Sequence, residues 1–163
     1  SSNANHGQIK EALELLIMAG LVFPVTHTAA NGIPPGAEAD PKKRKMLLLD
    51  TGIFQRILGL NLSDFLFDST STLINKGTIA EQFWGLEYLK YGSPWAPPAL
   101  YYWHRELPSA NAEVDYILQQ GGYLLPFEVK ASTKGAMQSL RQFLKEKKKV
   151  FGYRFSLENF SEY

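Results

Sequence analysis

The chain has 163 residues, of which 45% are hydrophobic, and its 17 Lys and Arg residues against 16 Asp and Glu give a net charge of +1. This composition predicts one folded domain, or a small domain with an appendage, and argues against an intrinsically disordered chain. The absence of cysteine excludes a disulfide framework and a thiolate zinc site, and it fits a cytoplasmic protein.

The longest apolar run covers residues 15–25 and contains Gly20 and Pro24. A helix that spans a bilayer needs about 20 apolar residues, so no membrane span is predicted. A secretory signal is rejected as well, because acidic residues precede the run and Lys10 alone supplies positive charge before it.

The first part of the chain predicts a helix, a strand, a polar loop rich in Gly and Pro, and a second strand. These elements are residues 8–19, 21–26, 29–45 and 46–49. Their order is typical of the tail of a winged helix whose earlier helices are missing. Residues 2–4 resemble the scar of tag cleavage, which also predicts a fragment of a longer protein. Residues 51–75 are predicted to be short helices or irregular connection, with a domain boundary near Asn75.

After Asn75 the pattern predicts a helix, three strands, a helix and a strand. These elements are residues 76–91, 99–104, 112–119, 123–130, 135–147 and 150–155. Apolar side chains at helical spacing are expected to face the core: Ile79, Phe83 and Leu86 in the first helix, and Met137, Leu140, Phe143 and Leu144 in the second. The second helix can act as a crossover that lets the last strand lie parallel beside an earlier one. The sequence therefore predicts an α/β protein in two parts, residues 1–75 and 76–163.

Charged residues cluster on the predicted hairpin around Gly121-Gly122. If these glycines form a two-residue loop, Asp115 lies opposite Glu128, and Glu113 lies opposite Lys130. Opposed Cβ atoms are about 5 Å apart, so the two carboxylates can share a divalent cation. The alternative is a half-exposed ribbon with cross-strand ion pairs such as that of Glu113 with Lys130, which is common and contributes little to stability.

The element order and the motif of Asp115, twelve further residues and Glu128-Val-Lys130 resemble the PD-(D/E)xK nuclease superfamily. More narrowly, several motifs are similar to those of an uncharacterised domain at the C-terminal end of bacterial and archaeal AAA-type ATPases. They are residues 47–50, Lys76-Gly77 with Glu81, Tyr102-Trp103, Glu113-Val-Asp115-Tyr116 and residues 126–132. The resemblance implies a restriction-endonuclease-like core of order α-β-β-β-α-β, with a mixed sheet flanked by helices and preceded by a partial winged helix. It also implies an upstream ATPase domain as partner. ATP chemistry would belong to that missing part, because this chain has no Walker lysine motif.

The resemblance also implies residue roles. Asp115 matches the aspartate of the nuclease motif, Glu128 its second acidic residue and Lys130 its lysine. Glu81 matches the acidic residue on the first core helix. Proline does not directly precede Asp115, which departs from the motif's name.

Phosphodiester hydrolysis needs a nucleophile made from water and stabilisation of a negatively charged transition state, and Mg²⁺ or Mn²⁺ serves both needs. Asp115, Glu128 and the carbonyl of Val129 are the expected metal ligands because Mg²⁺ prefers hard oxygen donors. Lys130 is expected to position the attacking water or to counter charge on the phosphate.

Other polar residues have weaker assignments. Basic residues beside the proposed wing are candidates for contact with DNA, although a solvated loop is at least as consistent with their pattern: Lys42, Lys43, Arg44 and Lys45. Glu113 is a supporting residue. Ser132 is expected to cap or precede the following helix, or to contact a phosphate. Gln142 is assigned either to a nucleic-acid backbone contact or to an exposed helix surface.

The function predicted from the sequence is Mg²⁺-dependent hydrolysis of DNA by the C-terminal module of an AAA-type ATPase. One alternative is a catalytically silent module that binds DNA or protein. Another is a platform for oligomerisation of the parent ATPase.

Overall fold

The computed structural model describes residues 5–59, 76–96, 99–106, 111–132 and 136–156. Their elements in chain order are α1 (His6–Met18), β1 (Val22–Thr28), a short 3-10 helix (Pro35–Glu38), β2 (Ala39–Leu48), α2 (Thr51–Ile57), α3 (Lys76–Tyr91), β3 (Leu100–His104), β4 (Glu113–Gln120), β5 (Tyr123–Val129), α4 (Gln138–Glu146) and β6 (Tyr153–Phe155). The predicted boundary at Asn75 lies outside the described residues. Within these residues no helix combines the length and apolar character needed to cross a bilayer.

Six strands form one mixed sheet in the described part of the chain, in the order β2-β1-β3-β4-β5-β6. The strands β3, β4 and β5 are antiparallel neighbours, whereas β1 lies parallel to β3 and β6 lies parallel to β5. The predicted parallel last strand is therefore confirmed, with α4 as its crossover. The strands β1 and β2 extend the same sheet, so one sheet includes strands from both sides of Asn75.

Two apolar clusters lie on opposite faces of this sheet, because neighbouring residues of β4 alternate between them. On one face, Leu140 and Phe143 of α4 pack with Ile117 of β4. On the other face, α3 contributes Trp84 to a cluster that includes Tyr116 of β4. This packing confirms the predicted apolar face, to which Leu144 of α4 and Met137, directly before the helix, contribute partly buried side chains.

The core-facing side of α3 differs from the prediction. Leu86 is buried as expected, but Phe83 is 55% exposed and Gln82 is only 2% exposed. The prediction was wrong because it weighed hydrophobicity alone. Gln82 is buried because its amide pairs with the backbone of Leu48 in β2, where Nε2 donates to the carbonyl at 2.5 Å and Oε1 accepts from the amide at 3.1 Å.

The loop predicted for residues 29–45 is also wrong over its last part, since β2 begins at Ala39. The physical reason is the position of β2 at the edge of the sheet. Lysine and proline are common on edge strands, where they discourage pairing with another chain. A run that looks like a solvated loop in the sequence therefore continues as a strand.

The hairpin of β4 and β5 follows the predicted register. Its pairs run from Tyr116 with Phe127 to Gln120 with Tyr123, which leaves Gly121 and Gly122 as a two-residue turn. Gly121 has a φ of +57°, a conformation that side chains disfavour. This register brings Asp115 and Glu128 to adjacent positions at the open end of the hairpin.

Candidate functional site

Four carboxylates and two lysines gather at the open end of this hairpin, and we call them the acid cluster. Its members are Glu81 on α3, Glu113 and Asp115 on β4, Glu128 on β5, Lys45 on β2 and Lys130 directly after β5. Several elements therefore supply its charges. The hairpin residues are close to one another in the sequence, whereas Lys45 and Glu81 come from distant segments.

A β-bulge sets the position of Asp115. The register of β3 on β4 shifts between Tyr101 and Trp103, so that two residues of β4, Asp115 and Tyr116, face the single residue Tyr102. Bulges of this kind turn a side chain away from the regular alternation and often lie beside active sites.

Asp115 is anchored to the neighbouring strand. It is 7% exposed, and its Oδ2 accepts a hydrogen bond from the backbone N–H of Val129 at 2.8 Å. Burial raises the pKa of Asp115, while the Val129 hydrogen bond and the charges of Lys45 and Lys130 act in the opposite direction. The carboxylate is therefore fixed in position, but its hydrogen bond and the neighbouring positive charges do not fully offset the cost of burying its negative charge.

Glu128 is the most buried acid of the cluster, with 4% exposure. Its Oε1 accepts a hydrogen bond from Lys130 Nζ at 2.5 Å. Its Oε2 is buried and has no hydrogen-bond partner within the described ranges. Burial and the charge of Asp115 raise the pKa of Glu128, which means that the surroundings disfavour its charged form. A buried carboxylate oxygen without a partner is uncommon and calls for a physical explanation.

Glu81 lies on the other side of the cluster, where Lys45 Nζ is 3.7 Å from its carboxylate. Lys45 also forms an ion pair and hydrogen bond with Glu113 and lies 5.0 Å from the ring centroid of Tyr102. Burial, followed by the charge of Asp115, raises the pKa of Glu81 to about 7. Burial alone would lower the pKa of Lys45, but its interactions with the carboxylates, above all Glu113, outweigh burial and raise it.

The donor chemistry of the cluster fits a divalent cation of the Mg²⁺ type. Carboxylate oxygens are hard ligands, and four carboxylates against two ammonium groups leave a formal surplus of two negative charges. The unpartnered Oε2 of Glu128 adds a free donor atom. As the side chains lie, however, no group of three His, Cys, Asp or Glu in the described residues is arranged to hold a metal ion. A cation would have to draw the acids together.

Residues 76–159 match the family described as Domain of unknown function (DUF4143). This segment is slightly more than half of the 163 residues. The chain belongs to the DUF4143 family. The domain is usually found at the C-terminus of AAA-type ATPases. No curated protein and no solved structure matched the chain.

The DUF4143 segment contains most of the acid cluster, but Lys45 lies outside it. It begins at Lys76, the first residue of α3, and includes Glu81, Asp115, Glu128 and Lys130. Among the described residues, the strand that carries Lys45 contacts the family segment through the sheet, through α3 and through the ion pairs of Lys43 with Glu106 and of Lys45 with Glu113.

Close packing between α3 and the sheet fixes the backbone of α3 at Glu81 against β4. Tyr116 Oη donates to the Glu81 carbonyl at 2.7 Å. A Cβ at Gly85 would lie 2.4 Å from Tyr116 Oη and 2.6 Å from a methyl carbon of Leu47. These supporting residues were not predictable from the sequence, because a glycine inside a helix carries no sign of what it packs against.

The basic run that was predicted to contact DNA is divided among several partners. Lys43 pairs with Glu106, Arg44 with Glu14 at 3.2 Å, and Lys45 turns into the acid cluster. Lys42 is exposed. The run lies on β2 rather than in a loop, and its role in DNA binding stays a prediction.

The remaining predicted residues lie around the cluster or away from it. Glu113 pairs with Lys45, not with Lys130, which bonds to Glu128 instead. Ser132 is exposed. Gln142 on α4 donates to Glu146 at 2.7 Å. The metal contact predicted for the Val129 carbonyl stays a prediction.

A cavity of about 200 Å³ lies apart from the acid cluster, lined in part by His27, Arg105 and Glu146. None of its lining residues belongs to the cluster. Arg105 pairs with Glu146 across it, so its main charges are already compensated. We therefore place the candidate site at the acid cluster, where the charges are unbalanced.

Proposed function

We propose that this DUF4143 domain has a restriction-endonuclease-like fold and hydrolyses phosphodiester bonds of DNA in a Mg²⁺-dependent reaction, as the C-terminal module of an AAA-type ATPase. The observation that carries the proposal is the meeting of Asp115, Glu128 and Lys130 at the end of the β4–β5 hairpin. The order of α3, β3, β4, β5, α4 and β6, which is the α-β-β-β-α-β order of that fold, supports it.

Each residue has a defined task in this proposal. Asp115 and Glu128 would hold the cation, and the chemistry that a bound cation would supply is a polarised water and stabilisation of negative charge on the phosphate. The hydrogen bond from Val129 holds the Asp115 side chain in place, so that cation binding costs less conformational entropy. The Lys130 side chain is 29% exposed, so it can reach both Glu128 and a substrate phosphate.

DNA cleavage tests the proposal directly. Supercoiled plasmid, branched DNA and single-stranded DNA are incubated with the chain in Mg²⁺ or Mn²⁺, and in EDTA. We expect cleavage only with the metal, and a loss of roughly hundredfold or more in Lys130→Ala and Asp115→Asn. Lys90→Ala is the matched control, because Lys90 forms an exposed pair with Glu87 at 2.5 Å on α3. Absence of metal-dependent cleavage of every DNA form contradicts the enzymatic proposal.

One observation favours a second candidate function, a catalytically silent module that binds DNA. Lys45 already engages Glu81 and Glu113, and no three acids of the described chain are positioned for a metal. This function predicts DNA binding that weakens with salt, because contacts with phosphates release counterions. Binding should then survive Lys130→Ala, whereas the enzymatic proposal requires cleavage to disappear in that variant.

A further inference from the structure

Lys45 is the only member of the acid cluster that comes from outside the DUF4143 segment. Its ammonium pairs with Glu113 and lies 3.7 Å from Glu81. Its charge also stabilises the ionised forms of Asp115 and Glu128. It therefore interacts with all four carboxylates, whereas Lys130 forms its ion pair with Glu128.

A second observation shows that this cluster is incompletely compensated. The side chain of Glu128 is 5% exposed, and its Oε2 lacks a hydrogen-bond partner among the residues described. A carboxylate oxygen in this situation loses its hydration without a replacement, which is costly. The Oε2 of Glu128 is therefore the atom of the cluster at which an additional cation would gain most.

We propose that Lys45 is a built-in counter-cation that competes with the divalent cation for the acid cluster and so sets the metal affinity of the site. This inference rests on the proposed function, because it concerns the same carboxylates. The ammonium group is within ion-pair distance of both Glu81 and Glu113, so it occupies the position from which a cation would contact these two acids together. Binding of a divalent cation requires it to move aside.

The chemistry of lysine suits this role. Its ammonium is a compact charge on a flexible four-carbon chain, so it can leave a carboxylate without moving the backbone. The Lys45 side chain is 29% exposed, which gives the displaced ammonium access to water. The backbone of Lys45 stays paired with Val25 of β1 in either position.

Removal of the Lys45 charge should therefore strengthen metal binding. A positive charge that contacts the ligands of a divalent cation repels it strongly at the effective dielectric of a protein surface, so we expect affinity to rise roughly tenfold or more in Lys45→Gln. Without a metal, the same variant has four carboxylates and one ammonium, so its thermal stability should fall. Divalent cations should restore that stability to a larger extent than in the unaltered protein.

The experiment combines calorimetric titration of Mn²⁺ with thermal unfolding in EDTA and in Mg²⁺, at constant ionic strength. Lys45→Gln is compared with the unaltered chain, and Lys90→Gln serves as the control for loss of an exposed lysine. Lys45→Met is a second variant that retains contact with Tyr102 without the charge. If both Lys45 variants unfold in EDTA, Mg²⁺ should restore their folding.

The inference is overturned if the Lys45 variants bind Mn²⁺ no more tightly than the unaltered chain, or if Mg²⁺ fails to rescue variants that have unfolded. Cleavage of DNA by the unaltered chain is measured separately. Cleavage without a gain in metal affinity contradicts the role of Lys45 and leaves the proposed function intact. A gain in affinity without cleavage supports the role of Lys45 and contradicts the enzymatic proposal.

Discussion

Replacement of Glu81 by glutamine should make the folded protein less sensitive to pH. Burial and the nearby Asp115 raise the pKa of Glu81 from 4.5 to about 7. A raised carboxyl pKa means that the folded state holds its proton more tightly than the unfolded state. Its contribution to stability is therefore complete below pH 4.5 and is lost as pH rises to about 7.

The size of the effect follows from the same interval. A pKa shift of one unit corresponds to about 1.4 kcal/mol. The shift of the Glu81 pKa from 4.5 to about 7 therefore sets an upper limit of roughly 3 kcal/mol on its effect on the free energy of unfolding. The side chain of Glu81 is 30% exposed, and solvent screening reduces this figure. We expect Glu81→Gln to be more stable than the unaltered chain by about 1–2 kcal/mol at pH 8, relative to their difference at pH 4.

Urea unfolding in EDTA at several pH values between 4 and 8 measures this difference. The free energy of unfolding of the glutamine variant minus that of the unaltered chain should increase with pH up to about 7 and then stay constant. Glu87→Gln is the control. It makes the same substitution on the same helix, at a partly exposed glutamate that pairs with Lys90. A stability difference that is constant with pH, or that grows as pH falls, refutes the assignment of a buried acid at Glu81.

Three further changes test the packing that holds α3 over the sheet. Gly85→Ala should lower the free energy of unfolding by about 2 kcal/mol, because the added Cβ would lie 2.4 Å from Tyr116 Oη and 2.6 Å from Leu47; an unchanged denaturation midpoint would contradict this packing. Gln82→Ala should cost about 2–3 kcal/mol, since both backbone groups of Leu48 lose their partner, and a cost below the error of urea unfolding would argue against the pairing. Tyr116→Phe should cost about 1 kcal/mol through loss of the 2.7 Å hydrogen bond to α3, and a more stable variant would contradict that bond.

The hairpin was predictable because its determinants are local. Gly121 and Gly122 mark the turn, and a two-residue turn fixes the pairing of both strands. That register was sufficient to bring Asp115 beside Glu128. The bulge that faces Tyr102 was not predictable, because it arises from pairing with β3, a strand distant in sequence from the turn.

The edge strand shows where a local pattern is ambiguous. Lysines in succession are typical of a solvated loop, and they are equally compatible with a strand whose outer side has no neighbour. Only the pairing of Thr26 with Arg44 and Val25 with Lys45 distinguishes the two. The same long-range pairing carries Lys45 to the acid cluster, so its place in the site could not be read from its position in a basic run.

A buried polar residue was the other feature that periodicity could not find. Phe83 and Gln82 are adjacent in the sequence, and hydrophobicity alone places the phenylalanine inside. The structure reverses the two, because the Gln82 amide satisfies two backbone groups of Leu48 on β2, which is an edge strand among the described residues. The gain from pairing those groups outweighs the exposure of one aromatic ring.

The degree of burial separates the candidate site from an ordinary ribbon of ion pairs. Exposed pairs contribute between zero and about 1 kcal/mol and leave their charges in water. Asp115 and Glu128 are 7% and 4% exposed, so their charges are largely removed from water, and burial raises the pKa of both. Such groups lower the stability of the fold unless a positive charge accompanies them. Because Lys45 and Lys130 compensate only part of the negative charge, the stability of the folded domain should depend on divalent cations at constant ionic strength, which a ribbon of exposed ion pairs does not require.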